Sequence, residues 1–142
     1  MGQTLADAIL STAADAILLA DPDGIIRFWN PGAARIFGFS ADEALGRPLD
    51  IIIPENLRGR HNDGYARTMT TGETRYGSGD ILSVPALTKD GRRISVEFTI
   101  VLLHDDDGRV SGIAAIMRDV SERFQELRVL RRKVAELTPA GG

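Results

Sequence analysis

Cysteine is absent from this 142-residue chain, and histidine occurs only as His61 and His104. Lack of cysteine excludes disulfide scaffolds, thiolate zinc sites, cysteine nucleophiles and any chromophore attached through sulfur. Two histidines cannot build a cage of three imidazoles, so each must be weighed by itself. Aromatics are sparse, at 5 Phe, 2 Tyr and 1 Trp, which makes the expected core mostly aliphatic. With 17 basic and 20 acidic residues the net charge is -3, so no overall positive field exists to hold a phosphate backbone, and nucleic acid is not an expected partner. Long apolar runs are missing as well. Ala16 to Ala20 falls far short of the roughly 20 residues of a membrane span, and no basic stretch precedes it. A cytoplasmic protein with neither signal peptide nor anchor is expected. Catalytic signals are also lacking: there is no Gly-x-Ser-x-Gly elbow and no phosphate loop, and Gly77-Ser78-Gly79 is too short for a dinucleotide fingerprint. The chain does not read as an enzyme.

What is present is a regular punctuation. Asp23-Gly24, Asp90-Gly91 and Asp107-Gly108 each separate segments of strand-like composition and predict three hairpin turns. About 65 residues of helical signal lie between the first and second, giving two strands, several short helices and three strands. The fold class is therefore α+β with an antiparallel sheet. Leu5 to Ala14 predicts an amphipathic lead-in helix, followed by strands Ala16 to Ala20 and Ile25 to Trp29. Asn30 suits a helix N-cap with Pro31 at the first helical position, and Gly38 ends that helix. Ser40-Ala41-Asp42-Glu43 is a capping box, closed by Gly46 and Pro48; after the apolar run Leu49 to Ile53, Pro54 opens a longer helix to about Thr70, stopped by Gly72.

Arg92 to Leu103 alternates strictly, with Ile94, Val96, Phe98 and Ile100 on one face and Ser95, Glu97 and Thr99 on the other. Val110 to Met117 is apolar on both faces and suits a central strand, its outer side covered by the lead-in helix or a partner. Leu127, Leu130, Val134 and Leu137 then follow at 3-4-3 spacing, as in an exposed surface helix or a short coiled coil, before a frayed tail from Thr138. Asp119 and Arg123 stand four apart and could pair at the start of that helix.

The run Ile25-Ile26-Arg27-Phe28-Trp29-Asn30-Pro31-Gly32-Ala33-Ala34-Arg35-Ile36-Phe37-Gly38-Phe39-Ser40 resembles the signature of PAS domains. Three further matches stand at suitable distances: Ile53-Pro54, Lys89-Asp90-Gly91, and Met117-Arg118-Asp119-Val120-Ser121-Glu122-Arg123. The last resembles the junction by which such domains pass into an output helix. The resemblance covers about residues 5 to 124. It implies a five-stranded antiparallel sheet with short helices over one face: residues 1–15 as a cap helix, 16–120 as the core, and 121–142 as an output or linker helix and tail. It also implies a pocket that in some members holds haem, flavin or a small acid. Without cysteine the covalent flavin and coumarate chemistries are excluded.

The segment around Arg58-Gly59-Arg60-His61 resembles haem-binding PAS oxygen sensors, in which an Arg-x-Arg-His stretch supplies the proximal iron ligand. That resemblance makes His61 the candidate metal ligand and Arg67, six residues on, the candidate partner of a haem propionate. Neutral imidazole is a good iron ligand, and His61, Gly64, Tyr65 and Thr68 share one helical face. Tyr65 follows His61 by four positions where these sensors commonly have three, and Asp80 stands about where some place a distal Arg. Ile81, Phe98 and Ile100 complete the expected pocket. Haem is the best-motivated cofactor, with flavin or none as alternatives. His104 beside Asp105-Asp106-Asp107-Gly108 reads as a turn neighbour rather than a cation site, and Arg58, Arg60, Arg67, Arg75, Arg92 and Arg93 as solvated faces. Two functions are left open. One is a sensor of a diatomic gas or redox state that relays through its C-terminal helix. The other is a ligand-free dimerisation and relay module of a kinase, cyclase or chemoreceptor. In both, the expected partners are a second copy, through sheet face and flanking helices, and an output domain or separate signalling enzyme.

Overall fold

The computed structural model describes residues 2–73 and 81–137; Arg75, Gly77-Ser78-Gly79, Asp80 and the tail from Thr138 lie outside the described residues. In chain order the elements are α1 (Leu5–Leu10), β1 (Ala16–Ala20), β2 (Ile26–Trp29), α2 (Pro31–Phe37) and α3 (Ala41–Ala44). Two 3-10 turns (Leu49–Ile52 and Glu55–Leu57) lead to α4 (Arg58–Thr71), then β3 (Leu82–Leu87), β4 (Arg93–His104), β5 (Val110–Asp119) and α5 (Ser121–Leu137). The strands form one sheet in the order β2-β1-β5-β4-β3, with every neighbour antiparallel. This is the α+β arrangement expected, with β5, the strand apolar on both faces, at the centre.

Local chemistry explains most boundaries. Gly24, Gly91 and Gly108 all have φ near +80°, the conformation that only glycine adopts cheaply, so each Asp-Gly pair turns the chain. Asp21 and Asp105 use the same device, one carboxylate oxygen accepting from the amides two and four residues on. That use of the Asp105 carboxylate accounts for the acidic run beside His104 as a turn. Asn30 caps α2, and Gly38 and Gly72 end α2 and α4 in the left-handed conformation.

Three expectations are corrected. The lead-in helix ends at Leu10 rather than Ala14, because the carbonyls of Thr12 to Asp15 are taken by distant donors: the Asn30 side chain, the Gly32 amide and the Arg35 guanidinium. The run before Pro54 is a 3-10 turn, and a second such turn precedes α4, which starts only at Arg58. Asp119 does not pair with Arg123. Its carboxylate accepts from the Ser121 amide and hydroxyl, while the Arg123 guanidinium lies 4.0 Å from Glu97.

The core lies between the sheet and the short helices. Phe37, Leu18, Ile26, Ile52 and Val96 are fully buried there, joined by Trp29, whose indole N–H donates to the Phe39 carbonyl at 2.9 Å. Each fully buried large aliphatic or aromatic side chain is worth about 1.5 to 3 kcal/mol. At the far end, α3 is stapled to the β3–β4 turn. Ser40 and Glu43 form the expected capping box, and the Lys89 ammonium donates to the other Glu43 oxygen.

That staple makes stability depend on pH. The Lys89 hydrogen bond, and after it the Ser40 amide, hold the Glu43 carboxyl down at about 2 from an ordinary 4.5. A lowered folded-state value contributes stability above the unfolded value, lost as pH falls through the folded one. The urea midpoint of the wild type is therefore expected to fall more steeply than that of Glu43→Gln between about pH 4.5 and 2. Parallel curves for the two proteins would contradict this.

Candidate functional site

Strand period sorts β4 into two rows. Its inward row is Ile94, Val96, Phe98, Ile100 and Leu102, and burial along it changes: Ile94 is 6% exposed and Val96 1%, whereas Phe98, Ile100 and Leu102 are only half-buried. β3 opens in the same direction, while on β5 Met117 opposite Phe98 and Ala115 opposite Ile100 stay buried. On β3, Ala86 opposite Ile94 is buried, Val84 opposite Val96 is exposed and Leu82 opposite Phe98 is half-buried; on β5, Ile113 opposite Leu102 is half-buried. One end of the inner face is closed by α2, α3 and their 3-10 neighbour. The other end is an apolar wall that the described residues leave partly uncovered.

The helix that reaches β5 is α4, and its sequence explains why none of its residues is buried. Among its fourteen residues are Arg58, Arg60, Asn62, Asp63 and Arg67, and none of the fourteen is buried. It is instead held at fixed points. Arg58 Nε donates to the Ile53 carbonyl at 3.0 Å, the Tyr65 hydroxyl donates to the Asp21 carbonyl in the β1–β2 turn, and a Cβ at Gly72 would lie 3.9 Å from Val110. Burial, together with the nearby Asp21 and Asp23 carboxylates, pushes the Tyr65 hydroxyl far above its ordinary value, so it stays a donor at any physiological pH. Burial opposes ionisation of Asp21, yet the Ile25 amide, the Arg27 guanidinium and the Asp23 amide outweigh it and hold this carboxyl below its usual range.

The seven expected pocket residues divide clearly. Tyr65, Phe98 and Ile100 are partly buried and packed against the core. His61 is half-buried on α4, its ring 5.9 Å from that of Tyr65 and its Nδ1 3.4 Å from Asn62 Oδ1. Gly64 is exposed, with open space beside its α-carbon; Arg67 and Ile81 are exposed. None of the seven lines the two open grooves at the β3–β4 hairpin, which include Arg58, Arg92 and Arg93. Leu82, Val84, Leu102 and Ile113 belong to the same wall and were not singled out from sequence. Parity with Ile94 would have found Leu102, but the other three needed the strand register.

These residues meet the chemical requirements of haem in kind. Among the described residues His61 Nε2 makes no hydrogen bond, so its lone pair is available to iron; Phe98 and Ile100 offer an apolar wall; and Arg67 carries a cation on the same helix. No group of three or more His, Asp or Glu side chains among the described residues could hold a metal ion by itself. No helix among the described residues is long and apolar enough to cross a membrane.

Comparison with known proteins agrees with this architecture. The chain is 31% identical over 131 residues to the sensor protein FixL of Bradyrhizobium diazoefficiens, covering 92% of this chain and 25% of that one. It is 26% identical over 119 residues to the oxygen sensor protein DosP of Escherichia coli, covering 84% and 14%. The chain thus spans a quarter or less of the length of these relatives. Among solved structures, a PAS domain from Colwellia psychrerythraea superposes with a TM-score of 0.67 at 22% identity, covering 82% of this chain and 94% of that one. The family model described as PAS fold matches residues 10–125, and the chain belongs to that family of sensory signal-transduction domains.

Proposed function

We propose that the domain is a non-catalytic sensor that binds haem between α4 and the open end of the inner face, with His61 as the iron ligand, and relays the occupied state through α5. The observation that carries this is the burial gradient: the apolar inward row opens at Phe98, Ile100 and Leu102, while α4 presents a half-buried imidazole with a free Nε2. A row of half-exposed apolar side chains on an inward face has lower free energy when a flat apolar group covers it. Bound haem supplies an iron centre that takes a diatomic gas or changes redox state. The likeness to an oxygen sensor supports the same reading. Arg67, Gly64, Tyr65 and Ile81 remain the proposed neighbours of the group, with Arg67 available to a propionate.

The route outward is supported by β4, which carries the wall on one face and is tied through its backbone to the start of α5. Ser95 donates its amide to the Ser121 hydroxyl at 2.9 Å and accepts from the Val120 amide at 2.9 Å, and Glu97 faces Arg123. Displacement of Phe98 and Ile100 along the strand would therefore reach α5 within a few residues. The exposed Leu127, Leu130 and Leu137 suit pairing of α5 with a second copy and continuation into an output domain or signalling enzyme.

Titration of the purified chain with haemin, oxidised and reduced, tests the cofactor. A Soret band at one haem per chain is expected, and His61→Ala should abolish it while leaving the far-ultraviolet circular dichroism unchanged. A wild type that stays colourless, or a band that survives in His61→Ala, overturns the assignment. A colourless wild type would return the domain to a ligand-free relay module.

A further inference from the structure

The two edges of the sheet differ. The β2 edge is covered by the segment after α3: the Ile26 amide donates to the Arg47 carbonyl, and the Gly46 amide to the Ile26 carbonyl. β3 is the other edge. The Thr88 amide donates to the Arg92 carbonyl to close the β3–β4 hairpin, and the register runs on through Ala86↔Ile94 and Val84↔Val96. Alternation then turns the backbone groups of Ala86 and Val84 toward β4, and the Pro85 carbonyl with the amide and carbonyl of Leu87 away from it. Among the described residues these outward groups have no backbone partner.

Beside that edge lies an open groove of about 750 Å³, with Leu87, Gly91 and Arg93 of the hairpin on one side and Pro54, Glu55 and Arg58 on the other. Two cations and one carboxylate stand there, in a chain whose net charge is -3. Arg93 is exposed, and neither it nor Arg58 forms an ion pair among the described residues. Arg58 is half-buried, and the bond from its Nε to the Ile53 carbonyl at 3.0 Å holds the guanidinium in advance, so little side-chain freedom is lost when it meets an anion. The adjoining groove adds Arg92 at the same turn, where the Asp90 carboxylate is already engaged by the Thr88 hydroxyl.

We propose that the Leu87 end of β3 and this groove take an extended acidic segment of a partner protein, which adds to the sheet as a further strand and sets carboxylates against Arg58 and Arg93. The open backbone groups offer pairing that any strand could use; the guanidiniums select carboxylates, which they can bind in bidentate geometry. Pro85 favours a different protein over a second copy. Two chains joined β3 to β3 would bring two residues without an amide hydrogen into one six-residue pairing, whereas a partner strand meets only one. The contact requires neither bound haem nor pairing of α5.

The full chain is titrated with a fluorescein-labelled peptide of about eight residues that alternates valine and glutamate, and with its valine–lysine counterpart. Saturable binding of the glutamate peptide is expected, weakened about tenfold or more by Arg93→Glu, largely kept in Arg93→Lys, and unchanged in Arg109→Glu, an exposed arginine at the β4–β5 turn. Methylating the backbone amides of alternate peptide residues separates strand addition from charge attraction, because only one edge of the peptide can face β3. One methylated series should lose binding about tenfold while the other keeps it. Equal behaviour of the two series, or equal binding of the lysine peptide, overturns the proposal. So does the absence of saturable binding up to about 1 mM peptide. An oligothymidylate of similar length that binds more tightly than the glutamate peptide overturns it in favour of a general polyanion site.

Discussion

Asn30→Ala is expected to lower the stability of the chain by about 3 to 5 kcal/mol, one of the two largest losses any single polar or small residue here should produce. The side chain is 2% exposed and makes four hydrogen bonds. Its oxygen accepts from the Ile17 amide at 2.8 Å and the Ala33 amide at 2.9 Å; its nitrogen donates to the Thr12 carbonyl at 3.1 Å and the Asp15 carbonyl at 3.0 Å. Alanine removes the α2 cap and leaves buried amides of Ile17 and Ala33 without partners, at about 1 to 3 kcal/mol for each unsatisfied group. Asn30→Asp separates the two halves of the role. It keeps an acceptor for both amides but places a negative charge against two carbonyl oxygens, so it should also destabilise. Urea denaturation followed by circular dichroism measures both. A loss below about 1 kcal/mol in the alanine variant would mean that water replaces the bonds.

Gly32→Ala should cost about 3 kcal/mol or more, by a different mechanism. A Cβ at this position would stand 1.9 Å from the Asp15 carbonyl oxygen and 2.4 Å from its carbon, both backbone atoms of the connector that Asn30 and Arg35 hold in place. Neither can swing aside as a flexible side chain would, so α2 must separate from the start of β1. The Gly32 amide, which donates to the Thr12 carbonyl at 3.1 Å, would be lost with it. Gly59→Ala is the matching control, since nothing lies within 4 Å of its Cβ and α4 should gain about 0.5 to 1 kcal/mol in helix propensity. Opposite signs at the two glycines are the expected result; equal effects would show that the connector yields.

Both predictions concern residues whose importance was only half visible in the sequence. Asn30 before Pro31 announces a helix cap, because capping involves atoms three residues away. Its bonds to Thr12, Asp15 and Ile17 span 13 to 18 residues and have no local signal. Gly32 has no signal among its sequence neighbours; only the packing of that helix on Asp15 shows why a methyl group cannot enter. The same division holds at the candidate site. His61, Tyr65 and Gly64 could be placed on one helical face by spacing, and Phe98 with Ile100 on one strand face by alternation. That Phe98 and Ile100 stand where the inner face opens depended on strand register and on how far α2 and α3 reach.

What the sequence determined by itself was therefore the set of features closed within a few residues: the Asp-Gly turns, the caps at Asn30 and Ser40, the stops at Gly38 and Gly72, the alternation of β4 and the two-sided apolar run that made β5 central. Each depends on bonds or periods spanning at most a turn or two, so neighbouring residues suffice to specify it. Tertiary structure alone decided where the lead-in helix ends, which partner Arg123 faces, how the inward row opens beyond Val96, and that Val101, Leu103 and Ile116 stay exposed on the outer face. The physical reason is range. Burial and the satisfaction of a carbonyl are set by whichever groups the fold brings near, and for Thr12, Asp15 and Glu97 those groups lie more than ten residues away.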